Sequence, residues 1–257
     1  MYMKYYESPT MAKINEIVFG KDLKQHGTFT MSQLEDLLQK SDFNDSQSIL
    51  EIGCGAGFIA DYISKKTSAR FLCIDIDEDV IKFASEQHKA NKKLVFKTFD
   101  VRKIKDLNQK FTKILAFDSL YFLAEIDPND FQNSLDKYLL TVKNTIQNLY
   151  DVLENNGELI LTWSELPFFK PERKAPECTQ IGICLGELGY KYRAIDFTKQ
   201  EEEFWKSYKE TLHTYKNDFI SEGSNELYDM SIQEATFFCE GVSHNRLYRN
   251  LFIIKKG

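Results

Sequence analysis

The residues with the most evident chemical potential are Ile49-Leu50-Glu51-Ile52-Gly53-Cys54-Gly55-Ala56-Gly57. They read as a strand, a glycine loop and the start of a helix running from about Phe58 to Lys65. Gly53 permits a sharp turn, Gly55 lets a ligand approach the backbone, and Gly57 opens the helix. The spacing is G-x-G-x-G, and Phe58 stands where a dinucleotide-binding G-x-G-x-x-G loop requires glycine. Glu51 precedes the first glycine by two residues. A carboxylate there disfavours a pyrophosphate and suits a cationic amino acid.

Two further acids follow. Asp75 ends Leu72-Cys73-Ile74-Asp75, 18 residues after Gly57, where a carboxylate can accept both hydroxyls of a ribose. Asp100 follows the next apolar run, in Thr98-Phe99-Asp100-Val101, and could accept an adenine amino group. Each acid alone would serve equally well as a helix cap or a turn residue. The recurrence of acids at successive strand ends is the informative feature.

The elements that must carry these residues alternate. Apolar runs at Ser48–Ile52, Phe71–Asp75, Lys93–Phe96, Lys113–Phe117 and Glu158–Thr162 suit buried strands. Leu135, Leu139, Val142, Ile146, Leu149 and Leu153 keep helical steps of three and four, with the turn Asn155–Gly157 as the expected stop. Asp77 is a good N-cap for a stripe that begins with Val80, Ile81 and Ala84. This alternation predicts a doubly wound α/β domain built on a mainly parallel sheet. Cys184–Leu188 reads as helix, and Tyr190–Phe197 and Leu247–Lys256 as closing strands. The expected division is a lid segment at 1–45, a core at 46–199, a helical cap at 200–245 and a last strand at 246–257. Both flanking segments are expected to lie over the carboxyl edge of the sheet.

Composition narrows the function. The 257 residues carry 33 Lys plus Arg against 39 Asp plus Glu, a net charge of −6, which disfavours a nucleic-acid partner. No apolar run reaches the roughly 18 residues of a membrane span, and Met1–Tyr6 lacks the apolar core of a signal peptide. A cytoplasmic protein without a membrane partner is expected. Cys54, Cys73, Cys178, Cys184 and Cys239 are odd in number and scattered, as free thiols are. The four histidines show no zinc-binding spacing, so no metal site is expected.

The glycine loop with its three acids resembles that of the class I S-adenosylmethionine-dependent methyltransferases, with specific motifs over residues 45–165. The resemblance implies a seven-stranded Rossmann-like sheet with the last strand antiparallel, topped by a helical cap, and S-adenosyl-L-methionine as cofactor. It implies that Glu51 and the loop of Gly53, Cys54, Gly55 and Gly57 hold the methionine part of that cofactor, with Phe117 beside it. Asp75 would take the ribose, Asp100 and Val101 the adenine, and Ile76 the adenine face.

The flanks are similar to the small-amine N-methyltransferases of the phosphoethanolamine and glycine/sarcosine type. Ile17-Val18-Phe19-Gly20 with Gln25-His26-Gly27 looks like their N-terminal segment, and Phe204-Trp205 with Tyr208 and Leu212 like their cap. In that fold the fourth strand's end faces the reacting methyl group, which makes Asp118 and Tyr121 the acceptor-side candidates, joined by Tyr6 or Tyr5. In phosphoethanolamine methyltransferases a histidine follows the equivalent aspartate by four residues. Here that position is Phe122, so activity is expected to need none of the four histidines. The implied function is methyl transfer to a small-molecule acceptor of the amine class, by a monomer or homodimer. The competing readings are a methyltransferase for RNA or protein and a non-catalytic cofactor-binding module.

Overall fold

The structure is a computed structural model, and it describes residues 2–41, 43, 48–124, 126–165, 174–244 and 246–257. In chain order its elements are α1 (Tyr2–Glu7), α2 (Pro9–Phe19), α3 (Met31–Lys40), β1 (Ser48–Ile52), α4 (Phe58–Lys66), β2 (Arg70–Asp75), α5 (Glu78–Gln87) and β3 (Leu94–Thr98). They continue with β4 (Phe111–Ala116), α6 (Phe131–Asp151), β5 (Leu153–Ser164), α7 (Gln180–Glu187), β6 (Tyr192–Asp196), α8 (Thr198–Thr214), α9 (Lys216–Glu222), α10 (Asn225–Ser243) and β7 (Arg249–Lys255).

The seven strands form one sheet in the order β3-β2-β1-β4-β5-β7-β6. β1 pairs in parallel with β2 and β4, and β2 with β3, and β4 with β5. The chain steps outward from β1 to β3 and then returns to place β4 on the other side of β1. That reversal leaves a crevice beyond the carboxyl ends of β1 and β4, where open α/β sheets take ligands. β7 runs antiparallel to β5: the Asn156 amide donates to the Lys256 carbonyl at 3.1 Å, and the Lys256 amide to the Gly157 carbonyl at 2.9 Å.

The chain divides into two compact units. The sheet unit comprises Phe43–Trp163, Pro171–Ile195 and Asn250–Gly257. Leu50 and Ile52, Ile114 and Ala116, Leu159 and Leu161, and Phe252 and Ile254 alternate along their strands onto one core face. Leu135, Val142, Ile146 and Leu149 of α6 cover that face, each buried side chain stabilising by roughly 2 kcal/mol. Asp77 caps α5 by accepting from the Asp79 and Val80 amides. The other unit comprises Met1–Asp42, Ser164–Lys170 and Asp196–Arg249. It packs α2 on α8 and α8 on α10, with Phe19 and Phe204 ring centroids 4.9 Å apart. Its buried Glu201 faces Arg249 at 3.3 Å, and accepts from Thr28 at 2.7 Å and from the Trp205 indole at 2.8 Å. Among the described residues no helix is long and apolar enough to cross a membrane.

Two expectations are corrected. α6 ends at Asp151, and Leu153 already belongs to β5, where it pairs with Phe111. Asn155-Asn156-Gly157 is therefore not a turn before the strand but a bulge within it, and the register shifts between Phe111 and Lys113. Asn156 takes a φ of 63°, and a Cβ on Gly157 would lie 2.9 Å from the Glu154 carbonyl oxygen. Asn and Gly fit a bulge for the same reason that they fit a turn. Helix α7 also begins four residues before the expected Cys184, because Thr179 caps it by accepting from the Gly182 amide.

Candidate functional site

The glycine loop leaves β1 at the crevice. All three glycines adopt left-handed backbone, with φ of 63°, 51° and 77° at Gly53, Gly55 and Gly57. At Gly53 a side chain would also collide with Ser119 Cβ at 2.5 Å. Glycine at 53 thus lets the turn after β4 lean on the loop, which brings Asp118 and Ser119 beside it. The loop closes on itself through the Gly57 amide, which donates to the Cys54 carbonyl at 2.9 Å.

Asp75, at the end of β2, spreads its carboxylate between two backbones. Oδ2 accepts from the Gly55 amide at 3.1 Å and Oδ1 from the Asp77 amide at 3.1 Å. A carboxylate fixed in this way presents its remaining lone pairs in one orientation. Ile76 beside it is 66% exposed.

Glu51 lies beneath the loop, 3% exposed. Burial pushes its carboxyl up to about 8; a hydrogen bond with the Cys73 thiol works against that rise, and Asp75 adds to it. Its Oε2 has no partner among the described residues. Burying a carboxyl oxygen without a donor is costly, and a bound ammonium would supply the donor. Burial likewise raises the Cys54 and Cys73 thiols, which are hydrogen-bonded to each other. The orphaned oxygen, the left-handed loop and the fixed Asp75 together fit an amino-acid-bearing nucleoside.

Asp100 is more committed than the sequence suggests. It caps the turn after β3 by accepting from the Arg102 amide at 2.9 Å, and it takes the Arg102 guanidinium through Nε at 2.9 Å and Nη2 at 2.8 Å. Those Arg102 hydrogen bonds hold its carboxyl below the usual range, against the opposing effect of burial. An adenine amino group would share Asp100 with Arg102. Val101 is half-buried at this end.

Just beyond β4, Asp118 adopts a φ of 51°, unusual for a residue with a side chain. Thr162 of the adjacent β5 stabilises it from two directions. The Asp118 amide donates to Thr162 Oγ1 at 2.9 Å, and that hydroxyl donates to Asp118 Oδ1 at 2.8 Å. Tyr121 packs its ring 4.5 Å from that of Trp163, whose buried indole N–H lacks a partner among the described residues. Phe117, immediately before Asp118 in sequence, is half-buried, and Phe122 is 76% exposed. Glu51, the glycine loop, Asp75, Asp100, Phe117, Asp118 and Tyr121 all belong to the sheet unit.

Tyr5 and Tyr6 belong to the other unit and are 6% and 4% exposed. The Tyr5 hydroxyl sits 3.0 Å from Asn15 Oδ1 and 2.9 Å from the Gln25 carbonyl, so its hydrogen is used internally. Thr162 and Arg102 were missed by sequence reading. Thr162 is one polar residue in the apolar run Leu159-Ile160-Leu161, a signal that was present. Arg102, two residues after an acid, carried no comparable signal.

Comparison with known proteins agrees with this geometry. Residues 50–159 match the family described as "Methyltransferase domain". The phosphoethanolamine N-methyltransferase of Plasmodium falciparum is 23% identical over 210 residues, which cover 80% of this chain and 75% of that protein. Among solved structures, phosphoethanolamine N-methyltransferase 2 of Haemonchus contortus, in complex with phosphomonomethylethanolamine and S-adenosylhomocysteine, matches with a TM-score of 0.72 at 13% identity over 99% of this chain. This chain spans 59% of the length of that one. A cyclopropane synthase of Mycobacterium tuberculosis matches with a TM-score of 0.69 at 11% identity, covering 99% of this chain and 98% of that one. The fold is therefore shared by proteins of different chemistry, and residues at the site must decide the activity.

Proposed function

We propose, on the premise that the chain is a class I S-adenosylmethionine-dependent methyltransferase by matched domain and by fold, that it transfers a methyl group to a small-molecule amine. The observation that carries the cofactor reading is the buried Glu51 oxygen, without a partner among the described residues, at the left-handed glycine loop. The bound cofactor supplies an electrophilic methyl group on a sulfonium. Glu51 would hold its ammonium, the loop amides and Asp75 its sugar and backbone, and Asp100 with Val101 its adenine.

The acceptor reading rests on Asp118. A carboxylate held rigidly by Thr162 at the end of β4 orients an ammonium and can receive its proton before attack. Tyr121 contributes an aromatic face suited to a cationic head. The resemblance of the N-terminal segment adds Tyr6 as a third acceptor-side residue. No imidazole stands at position 122, so the proton must leave through carboxylate, phenol or water. A small amine, of which phosphoethanolamine is the first to test because a relative acts on it, is preferred to RNA given the net charge of −6. The same reading places the protein in the cytoplasm as a monomer or homodimer.

Calorimetry with S-adenosylhomocysteine and with NADH tests the cofactor. Binding of the first and not the second is expected; the reverse would overturn the reading. A mass-spectrometric screen of amine acceptors, incubated with methyl-labelled cofactor, then identifies the substrate. Label appearing only in RNA or protein would replace the small-amine assignment.

A further inference from the structure

A buried histidine supports the glycine loop. His88 follows the last residue of α5 and is 7% exposed. Its Nε2 lies 3.0 Å from the carbonyl oxygen of Ala56. A carbonyl can only accept, so Nε2 carries the hydrogen and donates. Its Nδ1 points toward Asp61 Oδ1, 3.7 Å away. Asp61 is in turn held by Asn91, which donates at 2.9 Å, and by Lys65. The ring is wedged between Phe58 and Phe96, at centroid distances of 4.6 and 5.8 Å. A Cβ on Gly57 would lie 3.3 Å from His88 Cδ2 and 2.5 Å from Phe96.

These contacts converge on one peptide unit. The Ala56–Gly57 peptide offers its carbonyl to His88 and its amide to the Cys54 carbonyl. Turning that peptide over would break both bonds, leave a buried carbonyl unsatisfied, and change the direction in which the loop presents its backbone. Among the described residues no second donor reaches the Ala56 carbonyl.

We infer that His88 is a positioning residue for cofactor binding: its Nε2–H fixes the Ala56–Gly57 peptide and so holds the glycine loop in the shape that receives the cofactor's amino-acid part. The role needs a donor at one place in space and needs no proton transfer. It narrows the expectation that all four histidines are dispensable; none is needed as a base, and this one is needed as a strut. The inference rests on the cofactor reading above and adds to it a residue that touches no ligand.

The test uses three substitutions in the full chain. Glutamine extends an amide N–H to about the place of Nε2, asparagine extends one only to about the place of Nδ1, and phenylalanine keeps a ring without a donor. The readouts are the calorimetric Kd for S-adenosylhomocysteine, the melting temperature, and the cofactor KM and kcat. His88→Phe and His88→Asn should each weaken binding by roughly tenfold, the scale of one buried hydrogen bond. His88→Gln should bind within about twofold of the wild type. The cofactor KM should move with Kd while kcat at saturation does not. Asn and Gln share polarity and differ by one methylene, so a general folding defect would appear in both melting temperatures and not in the ratio of their Kd values. Unchanged Kd in His88→Phe would overturn the inference, and so would a His88→Gln as weak as His88→Asn. A wild type that binds no S-adenosylhomocysteine would instead sink the cofactor reading, and this inference with it.

Discussion

Replacing Glu51 with glutamine separates the charge of this side chain from its shape. In the ligand-free protein its carboxyl is pushed up to about 8 by burial, from an ordinary value of 4.5. Between those two values the unfolded chain has lost the proton and the folded one keeps it. The unfolded state then binds fewer protons, so stability falls as pH rises from about 4.5 to about 8 and is flat above. At about 1.4 kcal/mol per pH unit over that window, the total loss is on the order of 5 kcal/mol. The Glu51→Gln protein lacks this term. The difference in unfolding free energy between variant and wild type should therefore move in the variant's favour across pH 5–8, by several kcal/mol, while other titrating groups cancel in the difference. Urea unfolding at several pH values measures it. Binding gives the complementary readout. At pH 7 a carboxyl with a value of about 8 is roughly nine-tenths protonated, and pairing with the cofactor's ammonium requires the carboxylate. Calorimetry in buffers of different ionisation enthalpy should show about 0.9 proton released per S-adenosylhomocysteine bound at pH 7. The variant should release almost none. Parallel pH profiles of stability in the two proteins, or equal proton release, would refute the reasoning.

Four further outcomes are expected. Asp118→Asn should leave S-adenosylhomocysteine affinity within a few-fold and lower kcat/KM for the amine identified by the label screen by roughly 10²-fold, the scale of one positioned acid–base group; normal turnover would remove Asp118 from the acceptor site. Thr162→Val should reproduce part of that loss in the wild type and add nothing in the Asp118→Asn background, and additive losses would show that Thr162 acts elsewhere. Gly57→Ala places a Cβ 2.5 Å from Phe96 at a φ of 77° and should cost on the order of 2 kcal/mol in urea unfolding, with a wild-type midpoint refuting the packing argument. Separately, hydrogen exchange in residues 1–30 and 200–245 should slow on adding S-adenosylhomocysteine if those segments form a lid; unchanged exchange there, with protection at the glycine loop, would count against one.

The parts of this molecule that the sequence disclosed are those whose signals are local. Ser48–Ile52 is the same strand in sequence and structure, because an apolar run that breaks at glycine has few other uses. Asp77 caps α5 as its spacing suggests, and the α6 stripe from Leu135 to Leu149 faces the core. The acids Glu51, Asp75 and Asp100 were visible for the same reason. The relations that make them a site were not. Thr162 reaches Asp118 across 44 residues of chain, and His88 reaches Ala56 across 32; neither partner carries a mark of the other. The bulge at Asn155–Gly157 was mistaken for a turn because both solve the same local problem with the same residues. Arg102 carries no sequence signal of its partner, and only the geometry shows that it occupies Asp100.

The ion pair between Glu201 and Arg249 sets a condition on the order in which the protein can be completed during synthesis. Thr28, Ser164, Glu201 and Arg249 meet in a single buried group, and on the ribosome they emerge over a span of more than two hundred residues. Until Arg249 leaves the exit tunnel, the carboxylate on α8 lacks this guanidinium, and docking the helix early would bury the charge without that ion pair. The discontinuous unit therefore has to wait, while the glycine loop and β1 to β5 can already pair. A nascent chain of this protein should carry five paired strands of the sheet while the helices stay uncommitted, and it should consolidate late and in one step.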